Sequence, residues 1–491
     1  MKQAKNGRED VLIIGSGVGG LTAGIILAKL QHPVRIVERN PAPGGLLRSY
    51  VRKGIECPTG VHYMGSLDRG QPLRRLWDYL GVTPLIPLER MAGIIDRYIF
   101  DDFSFDLCEG IDAFEDALIR AFPQEYKLIK TIVNDMRKIS QSFSSLDALV
   151  TSGMGTFMPD YFNSIGEQLL RMGCSSRLFS VLSVPSNLIG VSLKECPIFY
   201  YHMTIASYLL SSWRLACGSS QMANAFVSRL ESLGGELMTG DGVERILVQS
   251  GQVKGVVLRS GRILESTSII AAVHPGNVVA MLPGEAVRPG YGERIKQLEN
   301  TRGLFSATVA VDAEAHKALP YNIYRLSREN DGTLSQGIFH QLRSSGQPGI
   351  NILSMMTESG SEEWRQWKDT TSGKRGSDYG EAKQRKAREF ISGAEKIFGQ
   401  LKDVKILDTY TPLTIRDIVD SPDGSAYGIL RSTRQLMKTA SLQRTSVKGL
   451  FLAGQNSLAP GIMGTTLGSF QTVKRFIGHE RFSGEVLRDL L

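Results

Sequence analysis

An α/β fold with a second, α+β unit spliced into it is predicted by three observations. The apolar run Val11-Leu12-Ile13-Ile14 feeds Gly15-Ser16-Gly17-Val18-Gly19-Gly20, and a helix-length apolar stretch follows. A strand–glycine–helix junction returns at the far end, in Gly449-Leu450-Phe451-Leu452-Ala453-Gly454 and Gly461-Ile462-Met463-Gly464-Thr465-Thr466. Finally, 491 residues exceed what one ordinary core holds, and large α/β units make two domains the expectation.

Val11–Ile14 reads as a buried strand, and Gly15-x-Gly17-x-x-Gly20 after it has the form of a dinucleotide-binding turn. Gly15 permits the tight exit from the strand, Gly17 lets backbone approach a pyrophosphate, and Gly20 lets the helix pack on the sheet. Ser16 and Gly19 complete the loop. The helix beginning near Gly17 directs free N–H groups and its positive dipole end at the phosphates. Leu21, Ile25, Ala28 and Leu30 give it an apolar face. Val34–Val37 is the second strand, and Glu38, next to Arg39, ends it in position to accept from ribose hydroxyls. The acid argues against NADP and leaves NAD and FAD. In Pro43-Gly44-Gly45-Leu46-Leu47-Arg48-Ser49, a second glycine pair offers another close approach and Arg48 a phosphate counter-charge. A plain Pro-Gly turn is the alternative.

From Leu73 to about Leu210 the pattern is mostly helical, with short strands near Met91–Ile99 and amphipathic helices at Asp112–Phe122 and Gln124–Phe143. Phe157–Leu215 is unusually apolar and aromatic. It reads as the helical core of a second domain, as the wall of a tunnel for a long apolar substrate, or as a membrane-facing patch. Gly218-Ser219-Ser220 breaks the pattern, a helix follows at Gln221–Leu233, and short strands follow at Glu236–Met238, Val243–Gln249, Gln252–Arg259 and Arg262–Glu265. Ser268–Ala272 is a buried strand returning to the nucleotide sheet. Residues 280–440 alternate strands and helices, with a polar loop at Thr357–Tyr379 and a helix at Glu381–Phe398. The closing helix is expected from about Leu467 to Ile477. A second helix N-terminus near the ligand can stabilise the negative charge of a reduced flavin, whereas an NAD enzyme needs no such closing motif. FAD is therefore the expected cofactor. The expected division is 8–70, 211–279 and 441–491 for the cofactor domain, and 71–210 and 280–440 for the substrate domain.

Apolar residues at 42% and charged residues at 22% are globular values, and the net charge of +8 is scattered rather than run together. No basic run with interleaved aromatics points to nucleic acid; weak attraction to lipid head groups is the alternative to a solvated surface. Cys57, Cys108, Cys174, Cys196 and Cys217 form no C-x-x-C and read as reduced thiols of a cytoplasmic protein. The seven histidines have no metal-ligand spacing, so no metal is expected. The polar first ten residues do not read as a signal peptide, and no apolar stretch is long enough to span a bilayer.

Glu38, Gly44-Gly45-x-x-Arg48-Ser49 and Ala453-Gly454 together resemble the FAD-dependent phytoene desaturase-like superfamily, over nearly the whole chain. The resemblance implies a Rossmann-like FAD domain of the glutathione reductase/amine oxidase type. It also implies that Val243 meets adenine through its backbone. Gly60-Val61-His62-Tyr63-Met64-Gly65, Thr411-Pro412-Leu413-Thr414 with Ser421–Gly428, and Gly454-Gln455-Asn456 look like the retinol saturase branch, with carotenoid isomerases nearby. Asn456 stands where that branch often has aspartate on the ribityl chain. Val61, His62, Met463, Gly464 and Thr465 are expected near the cofactor. The implied reaction is saturation of a carbon–carbon double bond in a hydrophobic isoprenoid or polyene, with desaturation or isomerisation as alternatives. His62 and Tyr427 are the candidates for proton handling, His62 because its ordinary pKa suits exchange at neutral pH. A structural histidine and an aromatic wall residue are the plain alternatives. Electrons would come from transient NAD(P)H or a separate donor. A flavin amine oxidase and a non-enzymatic prenyl-lipid carrier of the same fold remain as rivals. The chain is expected in the cytoplasm, with peripheral membrane contact as the variant.

Overall fold

The computed structural model describes residues 8–490 except 92, 145–149, 151–158, 217, 441 and 444. Cys217 and Phe157 lie outside the described residues.

Five parallel strands form the nucleotide sheet, in the order Glu236–Met238, Val34–Val37, Val11–Ile14, Ser268–Ala271, Leu450–Leu452. Three distant parts of the chain therefore meet in one sheet. The central strand Val11–Ile14 is buried along its whole length, as expected for a parallel strand covered on both faces. The helix Val18–Lys29 behind it is buried from Val18 to Ala28. It does not have the single apolar face expected from its sequence, because it is sandwiched. Ser219–Ser232 packs on one side and Gly461–Ile477 on another. Gly24 shows how tight this is: a Cβ there would lie 3.0 Å from Ile36 and 3.2 Å from Leu230.

The strands Val243–Gln249, Gln252–Leu258 and Ile263–Glu265 form an antiparallel sheet beside the nucleotide sheet. A seven-stranded sheet carries the second unit, in the order Lys405–Tyr410, Gly303–Asp312, Ile350–Ser359, Leu334–Ser344, Asn322–Arg328, Ile94–Ile99, Ser104–Cys108. All neighbours are antiparallel except Asn322–Arg328 with Ile94–Ile99. That one parallel pair joins the segment before Ser219 to the segment after Gly303.

Helices at Ile111–Ala121 and Tyr126–Ser144 lie where amphipathic periodicity places them. Two boundaries differ from the sequence expectation. The polar stretch Thr357–Tyr379 is not one loop: its start completes the strand Ile350–Ser359, and a helix begins at Gly376, five residues before Glu381. Between them Trp364 and Trp367 are buried against Tyr379, so two aromatic anchors order a polar segment. The closing helix begins at Gly461 rather than near Leu467. Gly464 belongs inside it because a Cβ there would meet the carbonyl oxygen of Ala459 at 2.6 Å. No described helix is long and apolar enough to cross a membrane.

Candidate functional site

The glycine turn and the Gly44-Gly45 turn build one cradle. Gly44 N donates to the carbonyl of Ser16 at 3.1 Å and to its hydroxyl at 3.3 Å. Gly44 and Gly45 both have positive φ, and a Cβ on Gly45 would lie 3.3 Å from Gly17 Cα. Gly17 itself faces open space. It caps the first helix in extended conformation with no side chain on the exposed N–H groups. Gly20 is close-packed: its Cβ would sit 2.0 Å from the carbonyl oxygen of Gly15. Gly15 turns at φ +96° against Val273.

Glu38 is buried and fully engaged. One carboxylate oxygen accepts from Ser16 N at 3.0 Å and Ser16 Oγ at 2.7 Å; the other accepts from Asn40 N at 2.9 Å and Nδ2 at 2.8 Å. Arg39 reaches away from the turn to the carbonyl of Asp417 and the carboxylate of Asp420. Gly242 packs on Arg39, which brings buried Val243 beside this edge. Arg48 Nη1 is shielded from solvent without a hydrogen-bond partner.

The closing segment reaches the same place. A Cβ on Gly19 would lie 2.4 Å from Gly454 Cα, and Ser469 Oγ donates to the carbonyl of Gly19 at 2.9 Å. No side chain caps the helix that starts at Gly461. Thr465 is buried in its second turn, and the neighbouring Thr466 hydroxyl has no partner. Asn456 Oδ1 accepts from Ile429 N at 2.8 Å, and its carbonyl accepts from the buried Arg431. Gln455, half-buried, stands before it.

A cavity of about 860 Å³ opens where Gly60–Gly65 and the start of the closing helix meet the second unit. Gly60–Gly65 and Ala459–Gly464, including Val61, Met463 and Gly464, line one end. Leu188, Ile189, Met203, Leu304, Leu326 and Met356 give it an apolar wall. The apolar segment before Leu215 is thus both core and cavity wall: Phe179, Tyr201 and Leu209 are buried, while Leu188, Met203 and Tyr208 face the space.

His62 and Tyr427 both line this cavity. His62 is half-buried, but its two ring nitrogens are shielded and unpartnered, with the ring edge-on to Phe339 at 5.3 Å. Burial, with the positive charge of Arg343, pushes its pKa down to about 4. The imidazole is therefore neutral at pH 7, which corrects the expectation that its pKa suits proton exchange there. Burial pushes the Tyr427 phenol up to about 12.

Sequence reasoning missed a second polar cluster. Asp96 is 1% exposed, and accepts from Tyr63 Oη at 3.0 Å and Asn322 Nδ2 at 2.8 Å. Tyr63 Oη is also 3.0 Å from Tyr324 Oη. Burial pushes the Asp96 carboxyl up to about 7, against the opposing hydrogen bonds of Asn322 and Tyr63 and the charge of Arg214. Strand pairing rather than any local motif builds it: Asp96 sits opposite Asn322, on the inward face that Tyr324 shares. Among the described residues no group of histidine, cysteine or acids could hold a metal.

Residues 13–80 match the family model of the NAD(P)-binding Rossmann-like domain. All-trans-retinol 13,14-reductase of Macaca fascicularis is 26% identical over 98% of this chain and 87% of its own. The 4,4'-diapophytoene desaturase (4,4'-diapolycopene-forming) of a Methylomonas species is 25% identical over 62% of this chain and 61% of its own. The structure of an oxidoreductase from Methanosarcina mazei superposes with a TM-score of 0.63 at 15% identity, covering 95% of this chain and all of the other. The chain is thus similar to a retinol 13,14-reductase along nearly its whole length and to a diapophytoene desaturase over part of it, the likeness that the sequence motifs suggested.

Proposed function

We propose that this protein is an FAD-dependent oxidoreductase acting on a carbon–carbon double bond of a hydrophobic isoprenoid or polyene, in the saturating direction. The observation that carries the reading is an aliphatic and aromatic cavity, within the usual volume of small-molecule sites, lined at one end by Gly60–Gly65 and by the Ala459–Gly464 start of the closing helix, which packs on the helix behind the glycine turn. The retinol reductase and carotenoid desaturase relatives supply the substrate class.

The residues present fit FAD. Gly17 leaves room beside uncapped helical N–H groups, Arg48 has a shielded nitrogen in need of an anion, and the Gly461 helix end opens on the cavity. Gly15–Gly20, Gly44, Gly45 and Arg48 would hold the pyrophosphate. Glu38 would exchange an internal partner for ribose hydroxyls. Val61, His62 and Gly454–Thr465 would border the flavin. Bound there, FAD supplies the hydride chemistry. The chain's own groups bind the polyene along Leu188, Met203 and Leu326, exclude water and hold the proton the reaction needs.

Anaerobic incubation of photoreduced and of oxidised enzyme with retinol, phytoene and lycopene, followed by mass spectrometry, tests this. Gain of two hydrogens with the reduced enzyme is expected. Loss of two with the oxidised enzyme alone would reverse the direction. Absence of flavin absorbance from the purified protein would overturn the reading.

The aromatic cluster of Tyr63, Tyr208, Tyr324 and Phe339 favours one rival, a flavin amine oxidase, because ring faces attract a cationic substrate. Peroxide release with simple amines and no change in any polyene would establish it instead.

A further inference from the structure

The Asp96 cluster is a wire with one end in the cavity. Its buried terminus is fixed by the sheet. Asp96 pairs across the parallel strands with Asn322, and Asn322 Oδ1 accepts from Gln341 Nε2 at 3.0 Å with Arg214 Nη2 at 3.5 Å. Gln341 is itself held, donating to the carbonyl of His62 at 3.2 Å. With Oδ1 of Asn322 occupied by donors, its amide nitrogen must face Asp96, and it donates to Oδ1. A proton on Asp96 therefore resides on Oδ2, the oxygen in contact with Tyr63. Tyr63 passes the chain of hydrogen bonds to Tyr324, which lines the cavity.

We propose that Asp96, Tyr63 and Tyr324 form a hydrogen-bonded proton relay into the cavity, and that Tyr324 exchanges the proton accompanying reduction or oxidation of the substrate double bond. This rests on the function proposed above.

In the saturating direction, FAD bound in its reduced form would supply one alkene carbon with a hydride and its electron pair. The adjacent carbon takes H⁺ from the Tyr324 hydroxyl. Tyr324 regains a proton from Tyr63, and Tyr63 from the Asp96 carboxyl. Two C–H bonds form, the π bond is lost, the flavin is oxidised and Asp96 is left as a carboxylate. After product leaves, water in the cavity returns a proton along the same path. Desaturation reverses every transfer. Burial holds the phenols of Tyr63 and Tyr324 well above their ordinary pKa, so neither persists as tyrosinate and the charge rests on Asp96.

The groups facing Asp96 are few. Tyr98 lies two residues along its own strand, Tyr63 precedes it in the chain, Asn322 and Tyr324 face it from the parallel strand, Arg214 from Ser212–Leu215, and Tyr208 from the helix Ile198–Leu210. Arg97, next along the same strand, pairs with Asp106 of the neighbouring strand. Arg214 is the one cation whose charge acts on Asp96.

The test uses flavin-loaded wild type, Asp96→Asn, Tyr63→Phe and Tyr324→Phe. Substrate-dependent flavin oxidation is followed anaerobically from about pH 5.5 to about pH 9, and the carboxyl C=O infrared band is titrated without substrate. Each variant is expected to bind flavin normally and to lose roughly 10²-fold or more in rate, within the range of general acid catalysis. The wild-type rate should fall as pH rises through the Asp96 ionisation, and that inflection should vanish in Asp96→Asn. A carboxyl band that titrates near neutrality should be absent from Asp96→Asn and retained in Tyr324→Phe. An active wild type whose variants keep its rate and pH profile overturns the relay alone, as does the absence of a titrating band. A wild type that converts no polyene overturns the functional reading and the relay's role in turnover with it.

Discussion

Gly17 and Gly19 stand two residues apart in one turn, and the structure separates their jobs. Gly17 has φ −65° and ψ 174°, a conformation open to any residue, and a Cβ there has nothing within 4 Å. Gly17→Val should leave the apoprotein as stable as wild type or about 0.4–1 kcal/mol more so, through reduced freedom of the unfolded chain. It should remove flavin binding, because the added methyls fill the space kept for the pyrophosphate. Gly19→Ala is the converse. Its Cβ would lie 2.4 Å from Gly454 Cα and 2.8 Å from Gly454 N, both backbone atoms. Restoring ordinary contact requires the first helix and the closing strand to part by about 1 Å, a displacement that close-packed interiors resist by about 1–3 kcal/mol. Unfolding entropy for 491 residues is about 1 kcal/mol per kelvin, so Gly19→Ala should lower the apoprotein Tm by about 1–3 °C. Gly17→Val should instead abolish the flavin-dependent rise in Tm, about 3 °C where ligand stands near 100-fold above its Kd. Differential scanning calorimetry with and without added FAD, and flavin absorbance after gel filtration, measure both. A Gly17→Val protein that stays yellow refutes the cradle; one that melts with Gly19→Ala refutes the separation of roles.

Arg48→Met removes a guanidinium whose shielded Nη1 lacks an internal partner, so FAD affinity should fall roughly 10- to 100-fold, the worth of one charge-assisted hydrogen bond, with apoprotein melting unchanged by calorimetry. Met203→Trp fills the apolar wall; kcat/KM for a long polyene should fall at least about tenfold while the flavin spectrum is kept. His62→Gln should leave the shape of the pH–rate profile above about pH 5 intact, because an imidazole with a pKa near 4 does not titrate there. The Asp96 carboxyl, raised by burial to about 7 in the folded protein from its ordinary value of 3.8, binds its proton more tightly folded than unfolded. Its contribution to stability is therefore complete below the unfolded value and is lost as pH rises towards about 7, by a few kcal/mol. Asp96→Asn should abolish that loss in urea melts compared at about pH 5 and about pH 8.

The strand–glycine–helix junction was largely legible because its constraints are local. A strand, a glycine turn and a helix follow one another within twenty residues, and each glycine answers to a contact a few residues away or to the ligand. Gly20 against Gly15 is such a case. The closing segment was legible for the same reason, though its helix boundary was not. Gly464 reads as a helix breaker until the Ala459 carbonyl is seen to require it. The all-round burial of Val18–Lys29 was hidden because the chain that covers it, Gly461–Ile477, lies more than 400 residues away.

Proton chemistry was the least legible part, for a reason that His62 and Asp96 expose together. Read as residue types, the histidine is the neutral-pH group and the aspartate is fully ionised. Burial reverses the order: it moves the imidazole down to about 4 and the carboxyl up to about 7. Nothing local marks this. His62 lies beside a tyrosine in a motif that lines the cavity, while Asp96 acquires its surroundings from Asn322 and Arg214, on strands far along the chain. The seven-stranded sheet makes the difference, since its single parallel pairing aligns Asp96 with Asn322 and turns Tyr324 towards the cavity. The sequence singled out His62 by its residue type; the sheet surrounds Asp96 with the groups that raise its carboxyl.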